Sequence, residues 1–136
     1  MRIGVMLLLL AGSAGCVSSR PNVPPVDEIA SIKLSVHQFP KDAGRNNPCE
    51  ATLTKRQDLA DVLEWLDSVD WSQPGIDLAV VKMKSPEGDV LLTLKDGTTS
   101  AFSFYWDGGV VNKAANRLHQ GANTTKLRAV ALRMCP

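Results

Sequence analysis

The sequence predicts an α+β fold, with one antiparallel sheet in the order β-α-β-β-β-β-α and the helices packed on one face. Several short segments alternate apolar and polar residues between turn signals, which is typical of half-buried strands. A segment near residues 54–70 instead has apolar residues at helical spacing. A second helical pattern lies near the end of the chain. Together these patterns predict a mixed fold rather than an all-α or all-β one.

The first strand and first helix follow each other along the chain. Ile32, Leu34 and Val36 alternate with polar residues, and residues 41–48 form a loop that leads to Cys49. Thr54 and Gln57 match a capping box, which predicts that the helix begins there. The apolar stripe of this helix consists of Leu59, Val62, Leu63, Leu66 and Val69.

Four more strands are expected near 77–84, 89–95, 98–106 and 109–113. Asp96-Gly97 and Asp107-Gly108 predict two-residue type I′ hairpin loops, because both residue types tolerate positive φ. The residues expected to face the core are Ala79, Val81, Met83, Val90, Leu92, Leu94, Phe102, Phe104 and Trp106. A short helix near 113–119 is one interpretation of that stretch. The last helix should contain Leu127, Val130, Ala131 and Met134.

The N-terminal segment resembles a bacterial lipoprotein signal peptide. Arg2 precedes about nine apolar residues, too few for a transmembrane helix, which needs about 20. The small residues Ser13, Ala14 and Gly15 then lead to Cys16. The resemblance implies removal of residues 1–15 and acylation of Cys16, and Val17 after it implies the outer membrane, with the domain facing the periplasm. Ordinary signal-peptidase cleavage, giving a secreted protein, stays open because small residues suit that enzyme too.

The organisation that follows is a signal peptide (1–15), a lipid-anchored Pro-rich tether (16–28) and one domain (29–136). The three prolines of the tether favour extended chain, which at about 3.1 Å per residue would reach roughly 35 Å. If Cys16 carries lipid, Cys49 and Cys135 remain as one pair for a disulfide, which the periplasm permits. Such a long loop would contribute roughly 4 to 5 kcal/mol. Buried free thiols are the alternative.

Charge is unevenly distributed along a nearly neutral chain. Loss of Arg2 leaves 14 basic residues against 14 acidic ones, which argues against a nucleic-acid partner. Residues 58–77 carry only acidic charges, and residues 112–136 carry only basic ones, including Lys126, Arg128 and Arg133. These segments either neutralise each other, or the basic one forms a patch for anionic lipid or glycan.

No motif for catalysis, metal or cofactor is found. A nucleophile elbow and a phosphate-binding loop are absent from the sequence, and His37 and His119 are expected to be ordinary surface residues. A folded structure that placed either histidine against an Asp in a concave pocket would support a hydrolase.

The open face of the sheet is the predicted binding surface. Its candidate residues are Lys33, His37, Lys82, Lys84, Lys95 and Tyr105. Cations and one aromatic side chain suit an acidic protein or a glycan. The leading hypothesis is a non-enzymatic, outer-membrane-anchored domain that binds another envelope protein, in an accessory, immunity or inhibitor role. A lipid- or glycan-binding protein and a hydrolase with an unrecognised site are the alternatives.

Overall fold

The computed structural model describes residues 23–135 and contains seven strands and two α-helices in that range. The strands are β1 (Ile29–Val36), β2 (Cys49–Leu53), β3 (Ile76–Asp77), β4 (Gly88–Leu94), β5 (Thr99–Phe104), β6 (Val110–Asn112) and β7 (Arg117–His119). The helices are α1 (Arg56–Asp67) and α2 (Thr125–Met134). The strands form one sheet in the order β2-β1-β4-β5-β6-β7-β3, with every neighbouring pair antiparallel. The predicted α+β class with a single antiparallel sheet is confirmed.

Both helices cover the same face of this sheet. One core cluster joins the stripe of α1, the α2 residues Leu127, Val130 and Ala131, and the inward residues of β1, β4 and β5. Ile32, Leu34 and Val36 on β1 pair with Leu92, Val90 and Gly88 on β4, which places the apolar residues of both strands on that face. Alternation and helical periodicity therefore predicted the main core correctly.

The predicted disulfide between Cys49 and Cys135 is present, with the two Cα atoms 5.8 Å apart. It joins the start of the edge strand β2 to the residue that follows α2. Strand β2 was not expected from the sequence, which placed Cys49 at the end of a loop, so the bond connects a strand to the end of a helix. Cys135 is buried in the core cluster.

Three local predictions are wrong. The capping box is not formed: the N-cap of α1 is Lys55 without a side-chain bond, and Gln57 donates to Asp61 instead. Pairing with β1 keeps the chain extended through Leu53, which moves the helix start beyond Thr54. The hairpin loops are not type I′, because Gly97 and Gly108 have positive φ but the aspartates before them do not.

The third error concerns the connecting segments. Of the predicted strand 77–84, only Asp77 belongs to a strand, the two-residue β3, and a 3₁₀ turn, Leu78–Val80, follows at once. The Asp77 carboxylate accepts a hydrogen bond from the Ala79 N–H and so favours that turn. The predicted helix near 113–119 is a turn followed by β7, with Asn116 in the left-handed region at φ 55°.

Residues 23–28 belong to the packed domain and not to a free tether. Val23 and Val26 pack against the core cluster, and the 3₁₀ turn Val26–Glu28 leads directly into β1. An ion pair between Asp27 and Arg56 also connects this segment to the first residue of α1. The signal peptide, Cys16 and the rest of the predicted tether lie outside the described residues.

Candidate functional site

The open face of the sheet carries a second, smaller apolar cluster. Tyr105, Val111 and Leu118 point to this face, and Leu78 and Met83 from the segment after β3 pack against them. Met83 was predicted to face the helix-covered core, together with Ala79 and Val81. That prediction is wrong because residues 81–87 form no strand and fold over the opposite face instead.

Residues 78–86, called the covering segment below, lie over the open face of the sheet. A cavity of about 800 Å³ lies between this segment and the sheet. Its apolar lining comes from Leu78, Val81, Met83 and Val111. Its polar lining comes from His37, Lys84, Asp89, Ser103 and Lys113. An apolar wall with a few convergent polar groups is the usual character of a ligand site.

Asp89 is the centre of the polar lining. Cross-strand pairing places it directly opposite Ser103, whose Oγ donates to Asp89 Oδ1 over 2.6 Å. His37 Nε2 lies 2.8 Å from Oδ2, and Lys113 Nζ lies 3.3 Å from Oδ1. Burial alone raises the pKa of Asp89, but the hydrogen bonds from Ser103, His37 and Lys113 outweigh burial and hold the pKa below its ordinary value. Asp89 is therefore a stable carboxylate that organises the three donors around it.

The contact between His37 and Asp89 is the arrangement that the sequence analysis named as support for a hydrolase. The order of contacts, however, differs from that of a serine hydrolase, in which histidine lies between serine and aspartate. Here Asp89 lies between Ser103 and His37, and the hydroxyl proton of Ser103 points to a carboxylate of lowered pKa. Such a carboxylate is a weak base, so this geometry does little to activate Ser103.

Tyr105 holds the covering segment in place and is not an exposed contact residue. Its ring is 3% exposed, and its hydroxyl donates to the Lys84 carbonyl oxygen over 2.7 Å. Burial raises the pKa of Tyr105, and the Asp107 and Glu87 carboxylates raise it further. Lys84 Nζ lies 5.8 Å from the centroid of the same ring, within cation–π range.

The structure brings together only part of the predicted binding face. His37, Lys84 and Tyr105 meet at the cavity. Lys33 lies on β1 and pairs with Glu50 at 3.5 Å, while Lys82 is exposed on the covering segment without lining the cavity. Lys95 follows β4 at the end of the strand remote from Asp89, and its main-chain N–H donates to the carbonyl oxygen of Glu28.

Asp89 and Lys113 are the functional candidates that sequence reasoning missed. Asp89 immediately precedes Val90 in the alternating pattern, so its position on the open face could have been predicted from that pattern. Lys113 follows β6 and reaches Asp89 only because β5 and β6 pair next to β4.

The basic residues near the C-terminus are paired with acidic residues. Lys126 contacts Glu64 at 3.2 Å and Asp61 at 3.9 Å. Arg128 contacts Asp42 at 2.9 Å and lowers the pKa of that carboxyl, mainly by its hydrogen bond. Arg133 pairs with the buried Asp58 of α1. Lys126 and Arg133 are thus neutralised by the acidic segment 58–77, and Arg128 is neutralised by Asp42 outside that segment.

His119 is buried, which corrects its prediction as a surface residue. It is 3% exposed, its ring centroid lies 4.6 Å from that of Trp71, and its two ring nitrogens have no hydrogen-bond partner among residues 23–135. Burial lowers the pKa of His119, and the positive charge of Arg117 lowers it further. Gly75, with φ 75°, approaches so closely that a Cβ there would lie 2.8 Å from the imidazole.

The part of the chain that the structure describes contains no helix long and apolar enough to cross a membrane. Over the same residues, no group of three or more His, Cys, Asp or Glu side chains could hold a metal ion. In comparisons with known proteins, no family model matches the chain, and no curated protein or solved structure is significantly similar to it.

Proposed function

We propose that this protein is a non-enzymatic domain, anchored to the outer membrane through a lipid on Cys16, that binds another envelope protein through the open face of its sheet. The resemblance of residues 1–17 to a lipoprotein signal peptide supports the proposed outer-membrane location. The observation that carries the binding role is the open-face cavity, together with an exposed apolar residue in the chain segment that lines it.

That exposed residue is Val80, which is 78% exposed. It lies in the chain between Leu78 and Val81, both of which line the cavity. Val80 and Ile76 are the exposed large apolar side chains of residues 23–135. An exposed aliphatic residue beside cations suits a protein surface, because protein interfaces combine an apolar centre with a polar rim.

The position of the N-terminal segment also supports this proposal. Val23, Pro24 and Val26 lie against Ala60 and Leu63 of α1, on the helix-covered side of the sheet. A lipid anchor that precedes them would therefore join the domain on the side opposite the cavity. The open face of the sheet would therefore stay accessible to a partner in the periplasm.

A capture experiment with matched variants tests the proposal. The protein would be extracted in mild detergent, and the proteins of envelope extract that it retains would be identified by mass spectrometry. We expect the wild type and I76S to retain one protein in stoichiometric amount at moderate salt, and V80S to lose it. Equal retention by V80S and the wild type would overturn the open-face proposal, as would the absence of any retained protein.

A hydrolase is the second candidate, because His37 contacts Asp89 inside the cavity beside Ser103. Turnover of small aryl esters by the wild type that is abolished in S103A, but kept in S100A on the same strand, would establish it. Equal rates for all three proteins would remove it.

A further inference from the structure

From the charges in the cavity we infer the chemistry of the segment that the partner inserts: a single carboxylate, carried by an Asp or Glu side chain between aliphatic residues. This inference rests on the proposed function, because it concerns the same open-face cavity. It adds the ligand class and the side chain that recognises it, Lys84.

The cavity has one positive charge without an internal counterion. Among its lining residues, Lys84 and Lys113 are cations and Asp89 is a carboxylate. Lys113 pairs with Asp89, which also accepts hydrogen bonds from His37 and Ser103. Over residues 23–135, the Lys84 ammonium group has no carboxylate within 4.0 Å, and its one described contact is with the Tyr105 ring. One uncompensated ammonium group matches one carboxylate better than a multiply charged group such as a phosphate.

Lys84 is held beside the cavity before any ligand binds. The Tyr105 hydroxyl donates to the carbonyl oxygen of Lys84, and the Tyr105 ring lies under its ammonium group. The hydrogen bond fixes the main chain at Lys84, and the ring contact restricts the position of its side chain. Restriction in advance reduces the entropy lost when the cation engages an anion.

The apolar lining determines the neighbours of the carboxylate. Leu78, Val81, Met83 and Val111 supply the aliphatic part of the lining, and the exposed Val80 lies next to Val81 in the chain. A carboxylate flanked by aliphatic side chains suits a lining that combines a cation with aliphatic groups. A polar glycan would leave Val80 and the apolar wall in contact with polar groups.

Binding of a matched pair of peptides tests the inference. One is a short, capped, fluorescently labelled peptide with a single Glu between leucines, and its twin has Gln in place of Glu. Fluorescence anisotropy would be measured with the full-length protein in mild detergent. We expect the wild type to bind the Glu peptide roughly three- to tenfold more tightly than the Gln peptide, as a partly exposed charge pair should provide.

The lysine variants then locate the effect. K84Q should lose the preference for Glu over Gln, while K82Q, which removes a lysine outside the cavity, should keep it. Thermal unfolding would establish that both variants stay folded. Equal binding of the two peptides by the wild type, no binding of either, or an unchanged preference in K84Q would overturn the inference.

Failure of this inference and failure of the proposed function give different results. If K84Q still captures the envelope protein that V80S loses, the binding face stands and the carboxylate inference is wrong. If the wild type prefers the Glu peptide in a Lys84-dependent manner but captures no envelope protein, the cavity chemistry stands and the proposed protein partner is wrong.

Discussion

The two faces of the sheet differ in how completely they are buried and in how their charged side chains are paired. On the helix-covered face, Leu34, Val90 and Leu127 are fully buried, and the cations of α2 are paired with acidic residues. On the open face, a small apolar cluster borders a cavity in which Lys84 faces no carboxylate of the described chain. The helix-covered face is built as a stable core, whereas the open face keeps charge and apolar surface for a ligand. We therefore expect substitutions on the first face to affect stability and those on the second to affect binding.

The largest stability effect should come from the disulfide on the helix-covered side. C49S/C135S should lower the free energy of unfolding by roughly 4 to 5 kcal/mol, because the open chain gains conformational freedom when unfolded. Urea denaturation measures this loss, and replacing both cysteines avoids a free thiol. A variant that unfolds at the same urea concentration as the oxidised wild type would contradict the role assigned to this bond.

Adjacent valines on β6 allow a direct test of the two faces. Val110 belongs to the helix-covered core and is fully buried, and Val111 belongs to the open-face cluster. V110A should cost about 2 to 3 kcal/mol and V111A about 1 kcal/mol, because the larger core cannot close around the missing methyl groups. Equal losses in thermal or urea unfolding would show that the smaller cluster contributes as much per residue as the core.

Acid should weaken the end of the sheet that contains His119. Its pKa is lowered in the folded protein, so the unfolded chain binds the proton more readily. The stability associated with neutral His119 is present above its ordinary pKa of 6.5 and is lost as pH falls through the lowered value. Arg117 adds to the cost of protonation. Asp70 lines the same surface pocket as His119.

Urea unfolding between pH 7.5 and about 5.5 measures this effect, above the range in which the carboxylates of lowered pKa, Asp89 among them, take up protons in the unfolded chain. H119Q stays neutral throughout and is the matched control. The wild type should lose stability with falling pH, and H119Q should lose less. Equal slopes for the two proteins would contradict the assignment to His119.

The smallest effect should come from the exposed ion pairs over the helices. K126Q removes the contacts to Asp61 and Glu64 and should cost roughly 0.2 to 1 kcal/mol, less at high salt, because salt and water screen exposed charges.

K84Q on the open face should change the free energy of unfolding by less than about 0.5 kcal/mol, since it loses only an exposed side chain. A larger loss in K84Q than in K126Q would mean that Lys84 is a structural residue.

Local sequence patterns correctly predicted those strands, helices and core residues that depend on the periodicity of a single segment. The alternation in β1, β4 and β5 and the apolar stripe of α1 predicted the helix-covered core, because burial of one face requires that spacing. Cysteine counting predicted the disulfide. Part of the binding face followed from the same alternation, since His37 and Tyr105 do meet at one site. Lys84 joins them on a segment that was predicted to be a strand and is not one.

The remaining features depended on contacts between residues far apart in the sequence. The placement of β1 between β2 and β4 moved the start of α1, and it brought His37 to Asp89. The folding of residues 78–86 over the open face created the cavity and turned Tyr105 from an expected contact residue into a buried support. Packing against Trp71 buried His119. Periodicity shows which side of an element is apolar, but it carries no information about which neighbour covers that side, and only the tertiary structure decides this.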